Sequence, residues 1–124
     1  MPFTVFGTSF QPQVATPAAG FALQNGTPTI LTWTPPNDGK LHRFIVFASL
    51  VVGSAETGGA IAQGFTDPSG VGRSQALFNG GLGAGFASPN NFSYTVQGGQ
   101  PVTIAQSSAL TVGAATLWAE IWGS

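Results

Sequence analysis

A nine-residue stretch, residues 44–52, constrains the fold of this chain more than any other feature. All of its residues are apolar except Ser49. Because successive side chains of a strand point to opposite faces, a strand here places Phe44 and Val46 on one face and Phe47 on the other. Both faces are then apolar, although one face of an antiparallel sheet is commonly wet. The stretch therefore predicts a strand covered by a second sheet on one side and by a neighbouring subunit on the other.

Glycine and proline residues divide the rest of the chain into short segments. The chain has 18 glycines and 9 prolines, and the segments between them are rich in β-branched and aromatic residues, which favour strands. No segment shows the periodicity of an amphipathic helix. We expect strands at residues 21–34, 41–52, 60–66, 92–97, 102–106, 110–112 and 116–122, with residues 73–79 forming either a strand or one helical turn. This spacing predicts an all-β, antiparallel sandwich or barrel.

The sequence Pro-Pro-Asn-Asp-Gly at residues 35–39 separates the first two predicted strands. Proline sets the entry to a turn, and Asn, Asp and Gly tolerate the positive φ angles that tight turns need. We therefore expect a hairpin at this point.

Charged residues are unusually rare. Lys and Arg number 3, and Asp and Glu number 4, which makes 6% of the chain against about 25% in typical domains. Such a surface is poor at keeping molecules apart. Either Ser, Thr, Asn and Gln provide the solubility, or other subunits cover much of the surface. The net charge of −1 offers no basic patch for nucleic acid, and the longest apolar run is about half a membrane-spanning helix, so we expect neither partner.

The residues that carry most enzyme chemistry are few and scattered. A Ser-His-Asp triad can form only around His42, the single histidine, and there is no cysteine to complete a zinc site. The acids Asp38, Glu56, Asp67 and Glu120 lack the spacing of a calcium loop. A paired-carboxylate glycosidase site from Glu56 and Glu120 has no support from their surroundings. We therefore predict a protein that is not an enzyme and has no metal or cofactor.

The segment Thr-Leu-Trp-Ala-Glu-Ile-Trp at residues 116–122 alternates between two faces. Its odd-numbered positions are apolar and suit a core, whereas Trp118, Glu120 and Trp122 share the opposite face. Three interpretations stay open. The tryptophans bury at a subunit interface, where Glu120 pairs with Arg43 or Arg73 of a neighbour; or the register is reversed and the tryptophans form the core; or they form a flat platform for sugar rings.

The first twenty residues combine aromatic residues with proline. Phe3, Val5, Phe6 and Phe10 do not belong in water, yet Pro2, Pro12 and Pro17 break any helix. We interpret residues 1–20 as an extended N-terminal arm that packs on another surface. The alternative is a first strand of the same domain.

Two longer segments resemble a known group of proteins. These segments are PNDGKLHRFIVFASLVVGSAETGG and GGQPVTIAQSSALTVGAATLWAEIW, and they are similar to small bacteriophage virion proteins with a jelly-roll domain. Those proteins are head decoration or head-fibre modules, similar in shape to the trimeric tumour-necrosis-factor and C1q domains. The resemblance spans residues 21–124 and rests on a long first hairpin, a Ser-Ala-Glu-Thr-Gly-Gly turn and a closing pair of strands.

This resemblance implies a non-enzymatic structural protein of the virion. It implies a jelly-roll domain at residues 21–124 that forms a homotrimer and decorates or cements the outer surface of a phage head, with the major capsid protein as partner. We predict the subunit interface at Phe44, Val46, Trp118, Glu120 and Trp122.

The N-terminal arm would hold the module to the shell through Phe3, Val5, Phe6 and Phe10. The N-terminus lacks the basic start and apolar run of a signal peptide, so we expect synthesis in the host cytoplasm and a final location on the capsid. The alternative function is a carbohydrate-binding or receptor-binding module, such as a tail-fibre tip, that uses Trp118 and Trp122 or residues 79–91.

Overall fold

The computed structural model describes the backbone of residues 3–5 and 8–124, and the side chains from Phe10 onward. Within these ranges the chain forms ten β-strands, joined by turns and loops. The strands are β1 (Phe3–Val5), β2 (Thr8–Ala15), β3 (Phe21–Ala22), β4 (Thr29–Trp33), β5 (Leu41–Gly58), β6 (Ile61–Thr66), β7 (Gly72–Phe78), β8 (Ala87–Gln97), β9 (Val102–Gln106) and β10 (Leu110–Gly123). The same ranges contain no helix long and apolar enough to cross a membrane.

The strands form two antiparallel sheets. The large sheet has the order β1-β2-β10-β5-β8, with β3 also paired to β10, and the small sheet has the order β4-β9-β6-β7. The pairing is nested: β2 and β3 pair with β10, β4 with β9, β5 with β8, and β6 with β7. The nested pairs together form one long antiparallel hairpin. Two further pairings, β5 with β10 and β6 with β9, fold this hairpin into two packed sheets. Two antiparallel sheets connected in this way form a jelly-roll-like sandwich, and the predicted all-β antiparallel sandwich is confirmed.

Strand β5 provides the centre of the core. Its alternate side chains at even-numbered positions 44–52 point between the sheets and are buried. They meet Leu117 and Ile121 of β10 and apolar residues of the small sheet, such as Ile104. Phe44 and Val46 are 0% exposed, so a second subunit cannot reach them. This placement corrects their assignment to the subunit interface, because it is the opposite face of β5 that lies outside.

The chain around residues 35–39 turns, but not into a hairpin. Strand β4 belongs to the small sheet and β5 to the large sheet, so this segment carries the chain from one layer to the other. Turn-forming residues show where a chain changes direction, whereas the pairing depends on contacts with distant strands. Ser54–Thr57 likewise continue β5, and the turn is made by Gly58 and Gly59, whose φ angles are 74° and 67°.

Three other strand predictions are refined. The predicted strand at residues 21–34 is divided into β3 and β4, which lie in different sheets. Residues 73–79 fall largely in β7 and form a strand rather than a helical turn. The predicted strands at residues 110–112 and 116–122 are parts of one strand, β10, whose register with β5 shifts on both sides of Ala114.

Residues 8–15 form β2, which lies between β1 and β10 in the large sheet. Ala15 pairs with Glu120 of β10, and just beyond β2 the Thr16 N–H donates to the Ala119 carbonyl at 2.9 Å. The Thr16 hydroxyl oxygen accepts a hydrogen bond from the Ala119 N–H at 3.2 Å. For this segment the structure therefore agrees with the alternative of a strand in the same domain.

The predicted shell-binding residues are not equally available. Phe10 is 2% exposed, so it is buried in the chain itself, and its assignment to a shell contact is corrected. Phe3 and Val5 lie in β1, which pairs with β2, and their side chains lie outside the described part of the structure. Phe6 lies outside the described residues altogether.

Candidate functional site: the outer face of the large sheet

The outer face of β5 and β10 brings together three of the predicted interface residues. Trp118 lies opposite Ser49, Glu120 opposite Phe47, and Trp122 opposite Ile45. The odd-numbered residues 115–121 of β10 are buried in the core. The predicted division of β10 into a core face and a tryptophan face is confirmed, and the reversed register is wrong.

The two tryptophans hold the carboxylate of Glu120 between them. The indole N–H of Trp118 donates to Oε1 at 3.3 Å, and the indole N–H of Trp122 donates to Oε2 at 2.8 Å. We call these three residues the Glu120 clamp. Indole donors are neutral, and no lysine or arginine in the described part of the chain forms an ion pair with Glu120. The clamp therefore fixes a negative charge in one orientation on the outer face without a cation to neutralise it.

Apolar surface surrounds the clamp. The ring of Phe47 meets the ring of Trp122 edge-on, with centroids 6.5 Å apart and planes at 83°. Trp118 and Val51 are 36% and 52% exposed. Beside them lies a hollow of about 340 Å³, lined by Ala18, Ala19, Gly20, Ser49, Val51, Thr116 and Trp118. Contiguous exposed apolar patches mark sites of interaction with other molecules.

One of the two candidate arginines lies on this same outer face. Arg43 is on β5, four residues from Phe47 on the same side of the strand, and it is exposed. No carboxylate among the described residues pairs with it. Arg73 instead lies on the small sheet, where its Nε donates to Asp67 Oδ2 at 2.7 Å. Arg43 is therefore an exposed cation on the outer face, without an ion-pair partner among the described residues.

The remaining acids do not assemble into a site. Glu56 is buried near the far end of β5, whereas Glu120 lies on the outer face, so the two do not share a cleft as a glycosidase pair does. Asp67 is held by its own turn and by Arg73. Within the described residues no three acidic, histidine or cysteine side chains lie together as metal ligands.

His42 is part of a structural link at the C-terminal end of β10. Its Nε2 lies 3.0 Å from Asp38 Oδ1, and its Nδ1 lies 2.8 Å from the Ser124 carbonyl oxygen. Both ring nitrogens can donate to an oxygen only when the imidazole is protonated. The hydrogen bond with Asp38, and then that with Ser124, raises the pKa of His42 above 6.5. The bond with His42 lowers the pKa of Asp38.

We expect protein stability to depend on the protonation of His42. Because its pKa is raised on folding, its contribution is fully present below its unfolded pKa of about 6.5 and is lost as the pH rises through the folded pKa. Asp38, with its lowered pKa, contributes above about pH 4 and loses that contribution on acidification. The thermal unfolding midpoint should therefore fall as the pH rises from about 6 to 9, and His42→Gln should flatten this decline. NMR titration of this single histidine gives the folded pKa directly; a value at or below 6.5 would contradict the assignment.

A second open region of the surface is not predicted by any pattern in the sequence. It is a groove between β7 and β8, lined in part by Arg73, Gln75 and Tyr94. These residues lie on different strands, and polar residues on a short strand usually indicate its wet face. The only sequence signal was a polar pair at alternate positions of β7, which alone does not indicate a cavity.

The comparisons with known proteins concern the fold. No protein-family model matches the sequence, and no curated protein matches it. A solved structure of infectious bursal disease virus, Gx strain, contains a chain that is similar over 92% of this protein, with a TM-score of 0.52 and 11% sequence identity. The similar region is 29% of that chain, so this protein spans less than a third of its length. The two chains share the β-sandwich architecture.

Proposed function

We propose that this protein is a non-enzymatic structural component of a virion. In this proposal the jelly roll forms a homotrimer on the outer surface of a phage head, where it contacts the major capsid protein. The observation that carries the proposal is the similarity of 92% of the chain to a chain of infectious bursal disease virus. The outer face supports it, since its exposed apolar patch suits contact with other subunits.

The trimer contact is formed by the Glu120 clamp of one copy and Arg43 of the next. The indole donors already hold the carboxylate in place, so little side-chain freedom is lost when a guanidinium arrives. The exposed ring of Trp118 and the side chain of Val51 supply apolar area beside the charge pair. A stable interface buries about 800 Å² on each partner, which is roughly an eighth of the 6262 Å² surface of this chain.

The attachment to the shell is made by the chain before Thr8. Phe10 is buried in the chain itself, so the shell-binding role passes to Phe3, Val5 and Phe6. Deletion through residue 16 would remove all of β2 and its pairing with β10. Deletion of residues 2–7 removes only the outermost strand, β1, keeps all of β2 and is the appropriate variant.

The alternative of a sugar platform at the tryptophans has less support. Both indole N–H groups already donate to Glu120, so they cannot also bind the hydroxyls of a sugar that lies on the ring faces. The two rings are also four residues apart on one strand, about 13 Å along its axis, with the carboxylate between them. This arrangement favours a protein contact.

The mass of the native protein in solution tests the proposal. We expect the wild-type chain to have the mass of a trimer and Trp118→Ala to have the mass of a folded monomer, because the ring is a large part of the contact and is not needed for the core. Arg43→Glu is expected to give the monomer as well. A chain without residues 2–7 should keep the trimer mass but no longer sediment with phage heads.

Val71→Ser is the matched control, because Val71 is an exposed apolar residue away from this face and its change should leave the trimer intact. Circular dichroism establishes that each variant is folded. A wild-type monomer, or a Trp118→Ala protein that remains a trimer, would rule out this interface.

A further inference from the structure

The groove between the sheets lies at the edge where β7 of the small sheet faces β8 of the large sheet. Its volume is about 520 Å³, within the range of about 300–1,000 Å³ that is usual for small-molecule sites. The lining residues are Phe65, Asp67, Pro68, Arg73, Ser74, Gln75, Tyr94 and Thr95. The groove is separate from the Glu120 clamp, which lies on the outer side of the large sheet.

The groove exists because β7 carries polar side chains where the sandwich needs apolar ones. Arg73 lies directly opposite Phe65 of β6, and Gln75 lies directly opposite Gln63. Residues opposite each other in an antiparallel pair share a face, and Phe65 and Gln63 face the interior, being 9% and 0% exposed. Arg73 and Gln75 are thus at inward positions, and they do not close the edge as apolar side chains would.

Aromatic rings form the wall of the groove. The ring of Tyr94 lies 5.0 Å from that of Phe65 at 32° and 6.5 Å from that of Phe92 at 16°. Its hydroxyl donates to Gln75 Oε1 at 3.4 Å, a long distance for an O–H donor. Packing therefore holds the ring of Tyr94 in place, while its hydroxyl can exchange this long hydrogen bond for a shorter one to a ligand.

The groove contains polar groups but no net charge. The carboxylate of Asp67 accepts hydrogen bonds from the Ser69 hydroxyl at 2.6 Å, the Val71 N–H at 3.0 Å and Arg73 Nε at 2.7 Å. These bonds, that of Ser69 first, strongly lower the pKa of Asp67. A guanidinium has five N–H donors, so Arg73 still has four, and its charge is already neutralised. Such a site suits a neutral ligand with several hydroxyl groups.

The second, independent observation is the buried amide of Gln63, which lies beside the groove and lacks hydrogen bonds. Its side chain is 0% exposed, and neither its amide nitrogen nor its amide oxygen has a hydrogen-bond partner among the described residues. It lies directly opposite Gln75, which lines the groove. A buried amide without a hydrogen-bond partner lowers stability, and native proteins contain few of them.

We propose that this groove binds one neutral sugar ring. The apolar C–H face of a pyranose would lie against the ring of Tyr94, and its hydroxyls would meet the amide of Gln75 and the terminal nitrogens of Arg73. Aromatic rings combined with a few convergent polar groups provide both the apolar contact and the orientation that such a ligand requires.

Titration of the ¹⁵N-labelled protein with methyl glycosides of glucose, galactose and mannose, with N-acetylglucosamine and with N-acetylneuraminic acid tests the proposal. We expect at least one neutral sugar to shift the backbone amides of β7 and β8. The indole N–H signals of Trp118 and Trp122 should stay unchanged, which separates this site from a tryptophan platform. The absence of any shift, binding of the acidic sugar alone, or shifts confined to the indoles would each overturn the proposal.

Three variants locate the site. Arg73→Ala and Gln75→Ala should each weaken binding roughly tenfold, since each loses hydrogen bonds to the ligand. Tyr94→Phe keeps the packed ring and should weaken binding less, whereas Trp118→Ala should bind as the wild type does. Equal affinity in Arg73→Ala and the wild type would overturn the assignment, whatever the oligomeric state of the protein.

Discussion

Replacement of Gln106 by methionine is expected to lower the free energy of unfolding by about 2–4 kcal/mol, whereas the same replacement of Gln63 is expected to raise it by about 1 kcal/mol. The two glutamines are a matched pair, since both are buried on strands of the small sheet, at 1% and 0% exposure. They differ in hydrogen bonding. The sign of the change in the free energy of unfolding should therefore depend on whether the amide is hydrogen-bonded and not on how deeply it is buried.

Gln106 links three backbone groups. Its Oε1 accepts from the Gln24 N–H at 3.0 Å, and its Nε2 donates to the carbonyls of Gln24 at 2.6 Å and Ser108 at 3.0 Å. Methionine has a similar length but cannot make these bonds. The Gln24 carbonyl keeps its bond from the Leu110 N–H at 2.8 Å, whereas the Gln24 N–H and the Ser108 carbonyl lose their side-chain partner, and each such group left unsatisfied costs about 1–3 kcal/mol. Gln106 thus holds the connection between β3 and β4 against the start of β10.

For Gln63 the expected change in the free energy of unfolding has the opposite sign. Its amide lies among core residues without a hydrogen bond to the described residues, so methionine removes a desolvated polar group and keeps the volume. Equilibrium denaturation by urea at constant slope gives both changes. A loss of stability in both variants would show that the Gln63 amide is satisfied in solution, and would remove one of the two observations behind the sugar site.

The sequence was sufficient to predict the class of fold because the signals for it are local. Glycine and proline residues mark the ends of most strands. The alternation in residues 116–122 correctly placed Trp118 and Trp122 on the outer face. The pairing was not local. The bonds between Thr16 and Ala119 join residues 103 positions apart, and no short-range pattern indicates that the first part of such a chain meets its last strand.

The candidate site shows the same limit. On β5 both faces are apolar, so the sequence alone did not show that Phe44 faces the core and Phe47 the outside. The alternation predicts two faces, but only the position of the second sheet decides which is internal. The groove was missed because Arg73 and Gln75 resemble residues of a wet strand, although their opposite neighbours in β6 face inward.

The orientation of the tryptophans depends on an irregularity in β10. The register between β10 and β5 shifts between Val112 and Ala114 and again between Ala114 and Ala115. Gly113, between them, has a φ angle of 94°. A one-residue slip in register would move every side chain to the other face of the sheet. The bulge therefore sets the phase in which Leu117 enters the core and Trp118 leaves it.

Gly113→Ala is accordingly expected to lower the free energy of unfolding by about 3 kcal/mol. An alanine would be strained at the φ angle of 94°, and its Cβ would overlap the backbone of β5. An added Cβ would clash with the Ala55 carbonyl oxygen and lie 2.7 Å from the Glu56 Cα, and both are backbone atoms that cannot rotate away. Gly26→Ala is the control, because no atom lies within 4 Å of its added Cβ, and it should change stability little. Urea denaturation measures both, and the indole fluorescence of the folded variant shows whether the tryptophans keep their exposure. If Gly113→Ala is as stable as Gly26→Ala, the bulge does not set the register of β10, and the clamp must be positioned by the pairing of β10 with β2 instead.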